Sequence, residues 1–188
     1  ARDHVLGFSG INGLGESFKS GGRVVKNVTG FDLSKLLAGS FGTLAVMTEI
    51  TLKVLPAPEA VRTVLLIGLT PANAIDALTV ALGSPHDVSG AAHLPERIAD
   101  RSSVVPIARA HASITAVRLE GTAPSVAVRA QGLRTLLAAR ADVGELDTPD
   151  SRRLWQEVRD VAPYVDGSAA CVWHLSVPPA QGARVAEH

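Results

Sequence analysis

From Thr63 to Leu146 the chain reads as strand, helix, strand, strand, helix, strand, and few folds accommodate that order. Thr63 to Leu69 is an apolar strand. Thr70-Pro71 caps and opens a helix to Leu82, with Ile75, Leu78 and Leu82 on one stripe and Gly83 as its stop. Val88 to Leu94 forms the second strand, and a short helix starts at Pro95. Ile114 to Glu120 is the third strand, the helix from about Pro124 to Arg140 carries Val126, Leu133, Leu136 and Leu137, and Val143 to Leu146 closes the unit. This is the order of a ferredoxin-like split βαβ sandwich. Beyond it, Pro149 to Val161 reads as a helix holding Trp155, Cys171 to Val177 as a strand, and a further helix begins near Pro179. A strand and helix start without completion predicts a partial second repeat, cut short at the C-terminus.

Pro56-Ala57-Pro58 separates this unit from a region of different texture. Two prolines so close end a strand and stiffen the crossing, because each lacks a donor and fixes φ. Before them, His4 to Ile11 is a strand, Asn12-Gly13 its turn, and Glu16 to Lys19 the returning strand of a hairpin. Leu33 to Ala38 is a short helix with Asp32 as N-cap and Gly39 as its stop. Leu44 to Leu55 is the strongest strand pattern in the chain. Strict alternation sets Leu44, Val46, Thr48, Ile50, Leu52 and Val54 on one face, and Ala45, Met47, Glu49, Thr51 and Lys53 on the other.

Composition excludes several classes. Lys+Arg and Asp+Glu both number 18, so there is no cationic surplus for nucleic acid. No run of eighteen uninterrupted apolar residues occurs to span a bilayer. A single cysteine, Cys171, excludes an internal disulfide and an all-cysteine iron–sulfur site within this chain, reads as a buried hydrophobe, and fits a cytoplasmic protein. The six histidines include no pair at zinc-ligand spacing, so no metal site is expected. No Gly-x-Ser-x-Gly elbow points to a hydrolase. Arg152-Arg153 and the arginines at 129 and 134 read as solvated helix faces, and Trp155 and Trp173 as core.

One stretch differs from ordinary core: Gly21-Gly22-Arg23-Val24-Val25-Lys26-Asn27-Val28-Thr29-Gly30-Phe31-Asp32-Leu33, leading into Gly39-Ser40-Phe41-Gly42-Thr43-Leu44-Ala45-Val46-Met47-Thr48-Glu49. Gly39 and Gly42 bracket the turn from helix to long strand, where a backbone without Cβ atoms can lie against a ligand. By spacing alone, a helix C-cap followed by a tight turn explains these glycines equally well.

These two segments resemble the corresponding part of the FAD-binding domain of the vanillyl-alcohol oxidase and p-cresol methylhydroxylase superfamily, and within it the flavin-binding subunits of bacterial glycolate oxidases. The resemblance runs from residue 1 to about 58, and more loosely through Leu154-Trp155 and Trp173-His174-Leu175-Ser176-Val177-Pro178-Pro179. It implies an α+β fold: residues 1–57 as the C-terminal part of a PCMH-type FAD-binding domain, then residues 58–188 as a partial ferredoxin-like substrate cap. The cofactor implied is FAD, held along the main chain of Phe41, Gly42, Thr43, Leu44, Ala45, Val46 and Met47, with Ala45 standing where many relatives have glycine. Lys26, Asn27 and Thr29 are further candidates, each equally suited to a structural role. No catalytic residue is assigned.

The implied activity is oxidation of glycolate or another 2-hydroxy acid by an FAD-dependent oxidoreductase, with a sister flavoprotein subunit and an iron–sulfur subunit as partners. Two alternatives stand beside it: a D-lactate-type dehydrogenase, and a subunit that holds flavin for assembly without turning over. Association with the inner face of the membrane would run through partner subunits only. The family's glycine-rich pyrophosphate loop has no counterpart before Gly7, so the chain is expected to be a piece lacking that lobe, inactive and weak in FAD binding by itself.

Overall fold

A computed structural model describes residues 2–24, 30–165 and 171–186. The chain divides into two compact units, Ala1–Ala57 and Pro58–His188.

The first unit holds β1 (Val5–Asn12), β2 (Ser17–Gly21), α1 (Leu33–Leu37) and β3 (Ala45–Leu52), the three strands forming an antiparallel sheet in the order β2-β1-β3. The hairpin is organised by Asn12, whose side-chain oxygen accepts from the N–H groups of Leu14 (2.9 Å) and Glu16 (3.0 Å) while its amide donates to the Glu16 carboxylate (2.8 Å). The turn that begins at Asn12-Gly13 has its left-handed residue at Gly15, at φ 82°, two residues beyond Gly13, with the Asn12 side chain bridging the reversal. One face of the sheet carries the core: Phe8, Leu37 and Ala45 are buried, with Phe18, Leu33 and Met47 packed around them, and Phe8 meets Phe18 edge to face at 5.4 Å.

Two expectations for β3 need correction. The strand ends at Leu52 rather than Leu55. Lys53 still donates to the His4 carbonyl at 2.7 Å, but β1 begins only at Val5 and offers no ladder beyond. Nor does one face run from Leu44 to Val54. Gly10 opposes Met47 and Ser9 opposes Glu49, so Thr48 is an extra residue, a β-bulge. Opposed residues share a face, hence Ala45, Met47 and Ile50 lie on the side of Phe8, while Val46 and Glu49 lie on the other.

The second unit contains β4 (Ala60–Ile67), α2 (Pro71–Leu82), β5 (Gly90–Leu94), α3 (Glu96–Ala99), α4 (Val105–Ala108), β6 (Ile114–Gly121), α5 (Ala123–Leu137), β7 (Asp142–Leu146) and α6 (Thr148–Asp160), followed by a short α7 (Gly182–Ala186). Its sheet is antiparallel throughout, in the order β5-β6-β4-β7. The split βαβ order is therefore realised: β6 lies between β4 and β5, and β4 lies between β6 and β7. Both faces are covered, which explains why β4 and β6 are apolar almost continuously. Val64, Leu66, Val117 and Leu119 pack against α2 and α5. Leu65, Ile114, Ala116 and Leu146 pack with Ile107 of α4 and Leu154 of α6.

Helix ends follow the sequence. Thr70 accepts from the Asn73 N–H at 3.3 Å to cap α2, and Asp147 accepts from the Asp150 N–H at 3.0 Å to cap α6. The buried stripe of α2 is Ala74, Ala77, Leu78 and Ala81, with Leu82 left 58% exposed, because small residues let the helix lie close on the sheet. On α5 it is Val126, Ala130, Leu133 and Leu137, and Leu136 faces out.

The predicted strand from Cys171 to Val177 is absent: residues 171–178 have no regular secondary structure. A strand exists only when paired, and no described strand pairs with this segment. Cys171 is accordingly exposed rather than buried, and Trp173 is 81% exposed rather than core. Among the described residues no helix is long and apolar enough to cross a membrane.

Candidate functional site

The candidate segment starts where α1 ends. Asp32 opens that helix by accepting from the Lys35 N–H at 3.1 Å, with the Lys35 ammonium 3.3 Å from its other oxygen. The backbone donor, helped by that ammonium, holds the Asp32 carboxyl below the usual carboxylate range. Leu37 and Ser34 anchor the helix in the core.

The chain then folds back on itself. Ser40 N–H donates to the Leu37 carbonyl (3.0 Å), and Thr43 donates twice to the Ser40 carbonyl, from its N–H (3.1 Å) and from its hydroxyl (2.7 Å). Three residues of this turn are left-handed: Gly39 at φ 93°, Phe41 at 52° and Gly42 at 78°. For a bulky residue such as Phe41 that conformation is uncommon and costs of order 1–3 kcal/mol. A Cβ built on Gly39 or Gly42 meets nothing within 4 Å, so the main chain there faces open space.

The seven candidate residues form one continuous run with different orientations. Phe41 (99% exposed), Gly42, Thr43 and Leu44 are exposed. Ala45 is buried beside Phe8 and Leu37, so its methyl belongs to the core and only its main chain is left to meet a ligand. Val46 is 65% exposed and pairs with Ile11 on the face away from Phe8, while Met47 turns inward. Lys26, Asn27 and Thr29 lie outside the described residues.

Residues that shape this run were not among the candidates. A Cβ on Gly10 would stand 2.9 Å from the Val46 carbonyl, so a glycine is needed for β1 to approach there. Thr48, the bulged residue, donates from its hydroxyl to the Ser9 carbonyl at 3.2 Å. An isolated glycine within a strand pattern is the signal that marks such a place.

In the second unit Arg129 and Arg134 are structural ties rather than solvated faces, whereas Arg152 and Arg153 are exposed on α6 as expected. Arg129 donates to the carbonyls of Glu120 (2.7 Å), His86 (3.2 Å) and Asp87 (3.3 Å), and Arg134 reaches Glu145 at 3.4 Å. Arg118 lies over the Trp155 ring, 4.9 Å from its centroid, and Trp155 donates to the Thr63 hydroxyl at 2.9 Å. Among the described residues no group of three or more His, Cys, Asp or Glu side chains is placed to hold a metal.

No family model matches the chain. A stretch of 59 residues is 56% identical to the glycolate oxidase subunit GlcE of Escherichia coli K12, covering 31% of this chain and 17% of that protein. A stretch of 64 residues is 41% identical to the glycolate oxidase subunit GlcD of Bacillus subtilis 168, covering 34% and 14%. The D-lactate dehydrogenase of Anaerostipes hadrus matches at 45% over 60 residues, covering 32% and 13%. These matches thus span less than a fifth of each relative's length. In three dimensions the chain is similar to alkyldihydroxyacetonephosphate synthase (TM-score 0.63, 20% identity, 88% of this chain and 32% of that one). It is also similar to p-cresol methylhydroxylase (TM-score 0.53, 14% identity, 76% and 34%). Through a shared segment of some 60 residues the chain is a relative of glycolate oxidase subunits and D-lactate dehydrogenases, and it shares the fold of p-cresol methylhydroxylase, as the resemblance of its glycine-rich segments implied.

Proposed function

We propose that this chain is part of an FAD-dependent oxidoreductase of the glycolate oxidase type. What supports the reading most is the 56% identity over 59 residues with a glycolate oxidase subunit. In this reading residues 1–57 are the closing part of a PCMH-type FAD-binding domain, and residues 58–188 belong to its substrate cap.

FAD would rest on the run from Phe41 to Met47. The geometry suits a nucleotide held by backbone: left-handed turns at Gly39 and Gly42 leave main chain facing open space, with Leu44 and Val46 providing apolar contact beside it. Bound FAD would accept the hydride equivalent released as a 2-hydroxy acid becomes a 2-oxo acid. The chain's own contribution is positional. The doubly bonded Ser40 carbonyl fixes the turn, and the buried Ala45 pins the run to the core.

Glycolate is the substrate of this reading, and a sister flavoprotein subunit with an iron–sulfur subunit are its partners, in the cytoplasm or at the inner face of the membrane. The match to D-lactate dehydrogenase supports D-lactate as the second reading. The test is to purify the full-length protein with whatever co-purifies, then add glycolate or D-lactate anaerobically and follow the flavin absorbance. Bleaching by glycolate with little response to D-lactate supports the first reading, and the reverse supports the second. A preparation without flavin, or one inert to both acids, overturns the proposal.

A further inference from the structure

The bulge at Thr48 sits immediately after the proposed FAD-contacting run and decides how that run is presented. On β1, Phe8 and Gly10 share a face; on β3 their opposite numbers, Ile50 and Met47, are three residues apart. Without the extra residue, an alternating strand that keeps Ile50 over Phe8 would turn Met47 and Ala45 outward and Val46 into the core. With it, Ala45 packs beside Phe8 and Leu37, and Val46 stands outward at 65% exposure. One inserted residue therefore chooses which side of β3 faces the open surface.

Two groups hold the bulge in place. The Thr48 hydroxyl donates to the Ser9 carbonyl at 3.2 Å, at the step where the register slips. Across the same step Gly10 lets β1 come close to the Val46 carbonyl, where a Cβ would be only 2.9 Å away. Neither residue belongs to the run that would touch the nucleotide.

We propose that Thr48, with Gly10, is a positioning residue for FAD: it locks the bulge that turns Leu44 and Val46 toward the cofactor and Ala45 away from it. This rests on the reading that FAD lies along residues 41–47. Bulges recur beside functional sites because they re-aim side chains without ending the strand, and this one has that effect on the strand's opening residues.

The test compares FAD affinity and thermal stability in the full-length protein for wild type, Gly42→Val, Thr48→Val and Thr48→Ser. Affinity is read by flavin fluorescence during titration of the deflavinated protein. Valine keeps the shape and strand preference of threonine but cannot donate, while serine restores the donor. The expected result is about fivefold or greater loss of FAD affinity in Thr48→Val, with recovery in Thr48→Ser and a melting temperature close to wild type. Wild-type affinity in Thr48→Val, while Gly42→Val binds poorly, would overturn the positioning role and leave the FAD site standing. A fall in melting temperature that tracks the loss, unrescued by serine, would also overturn it by showing a purely structural role. Unchanged affinity in both Gly42→Val and Thr48→Val would remove the FAD reading of this run, and the positioning role with it.

Discussion

Gly7 and Gly21 oppose each other across β1 and β2, and neither strand leaves room for a side chain at the crossing. A Cβ on Gly7 would stand 2.5 Å from the Gly22 nitrogen, and one on Gly21 would run into the Leu6 carbonyl oxygen. Gly21 is also left-handed, at φ 72°, so alanine there is both crowded and strained. We expect Gly21→Ala to destabilise the first unit by about 2–4 kcal/mol. Hydrogen exchange resolves this. Amides of β1 and β2 should exchange faster in the variant, while those of β4 and β6 keep their wild-type protection, and equal protection in all four strands would contradict the close approach.

Trp155 donates to the Thr63 hydroxyl at 2.9 Å and so ties the middle of α6 to β4, as Thr148 ties the start of the helix to Val61. Thr63 is fully buried, and Gly90 leaves space where a Cβ would press on both Arg118 and the indole. Trp155→Phe keeps a ring over the sheet but removes the donor, leaving a buried hydroxyl unmatched. A loss of about 1–3 kcal/mol in urea unfolding is expected. Thr63→Val in the Trp155→Phe background should then cost much less than Thr63→Val alone, and additivity of the two would show that the bond contributes nothing.

Acid should weaken the second unit through His93. Its Nδ1 lies 2.9 Å from the Thr115 hydroxyl, its Nε2 is buried without a partner among the described residues, and burial pushes its pKa below the ordinary 6.5. The folded protein therefore keeps the ring neutral at pH values where the unfolded chain takes up a proton. The full stability is present above about pH 6.5 and declines as pH falls through and below that value. Unfolding midpoints measured across this range should fall more steeply for wild type than for His93→Gln. Parallel slopes would exclude His93 as the source.

Much of the second unit was legible because its signals are local and mutually consistent. The apolar runs of β4 and β6, the Thr70-Pro71 cap and the long helix before Val143 each point the same way, and few folds accept their order. The first unit was legible in outline, from the Asn12 turn to the Asp32 cap. The failures, in both units, share a cause: they depend on what lies alongside. Alternation in Leu44 to Leu55 cannot reveal that Thr48 is surplus, because a bulge exists only relative to the partner strand. Cys171 to Val177 has the composition of a strand, yet strand formation needs an edge to pair with. Size alone points to Ile75, Leu78 and Leu82 as the stripe on α2, whereas close approach to the sheet keeps Leu78 and adds Ala74, Ala77 and Ala81.

For the candidate run, residue identity was informative and orientation was not. Gly39 and Gly42 stand out in any reading of the sequence, but that Ala45 turns inward while Val46 turns outward follows from Gly10 and Thr48, which carry no nucleotide signature.

Helices on both sides of the four-stranded sheet also determine where evolution or an engineer could place charge within it. Arg62 and Arg118 are the two cations inside β4 and β6, and each survives by leaning on a neighbour: Arg62 on Glu145 at 3.1 Å, Arg118 on the ring of Trp155. At Val64, Leu66, Ala116 or Val117 no such outlet exists, since helix side chains close over every one of them. A lysine at any of those four positions would have to push aside the helix side chains packed over it, so these four, unlike the two arginine positions or the hydroxyl-bearing Thr63 and Thr115, are closed to a charge.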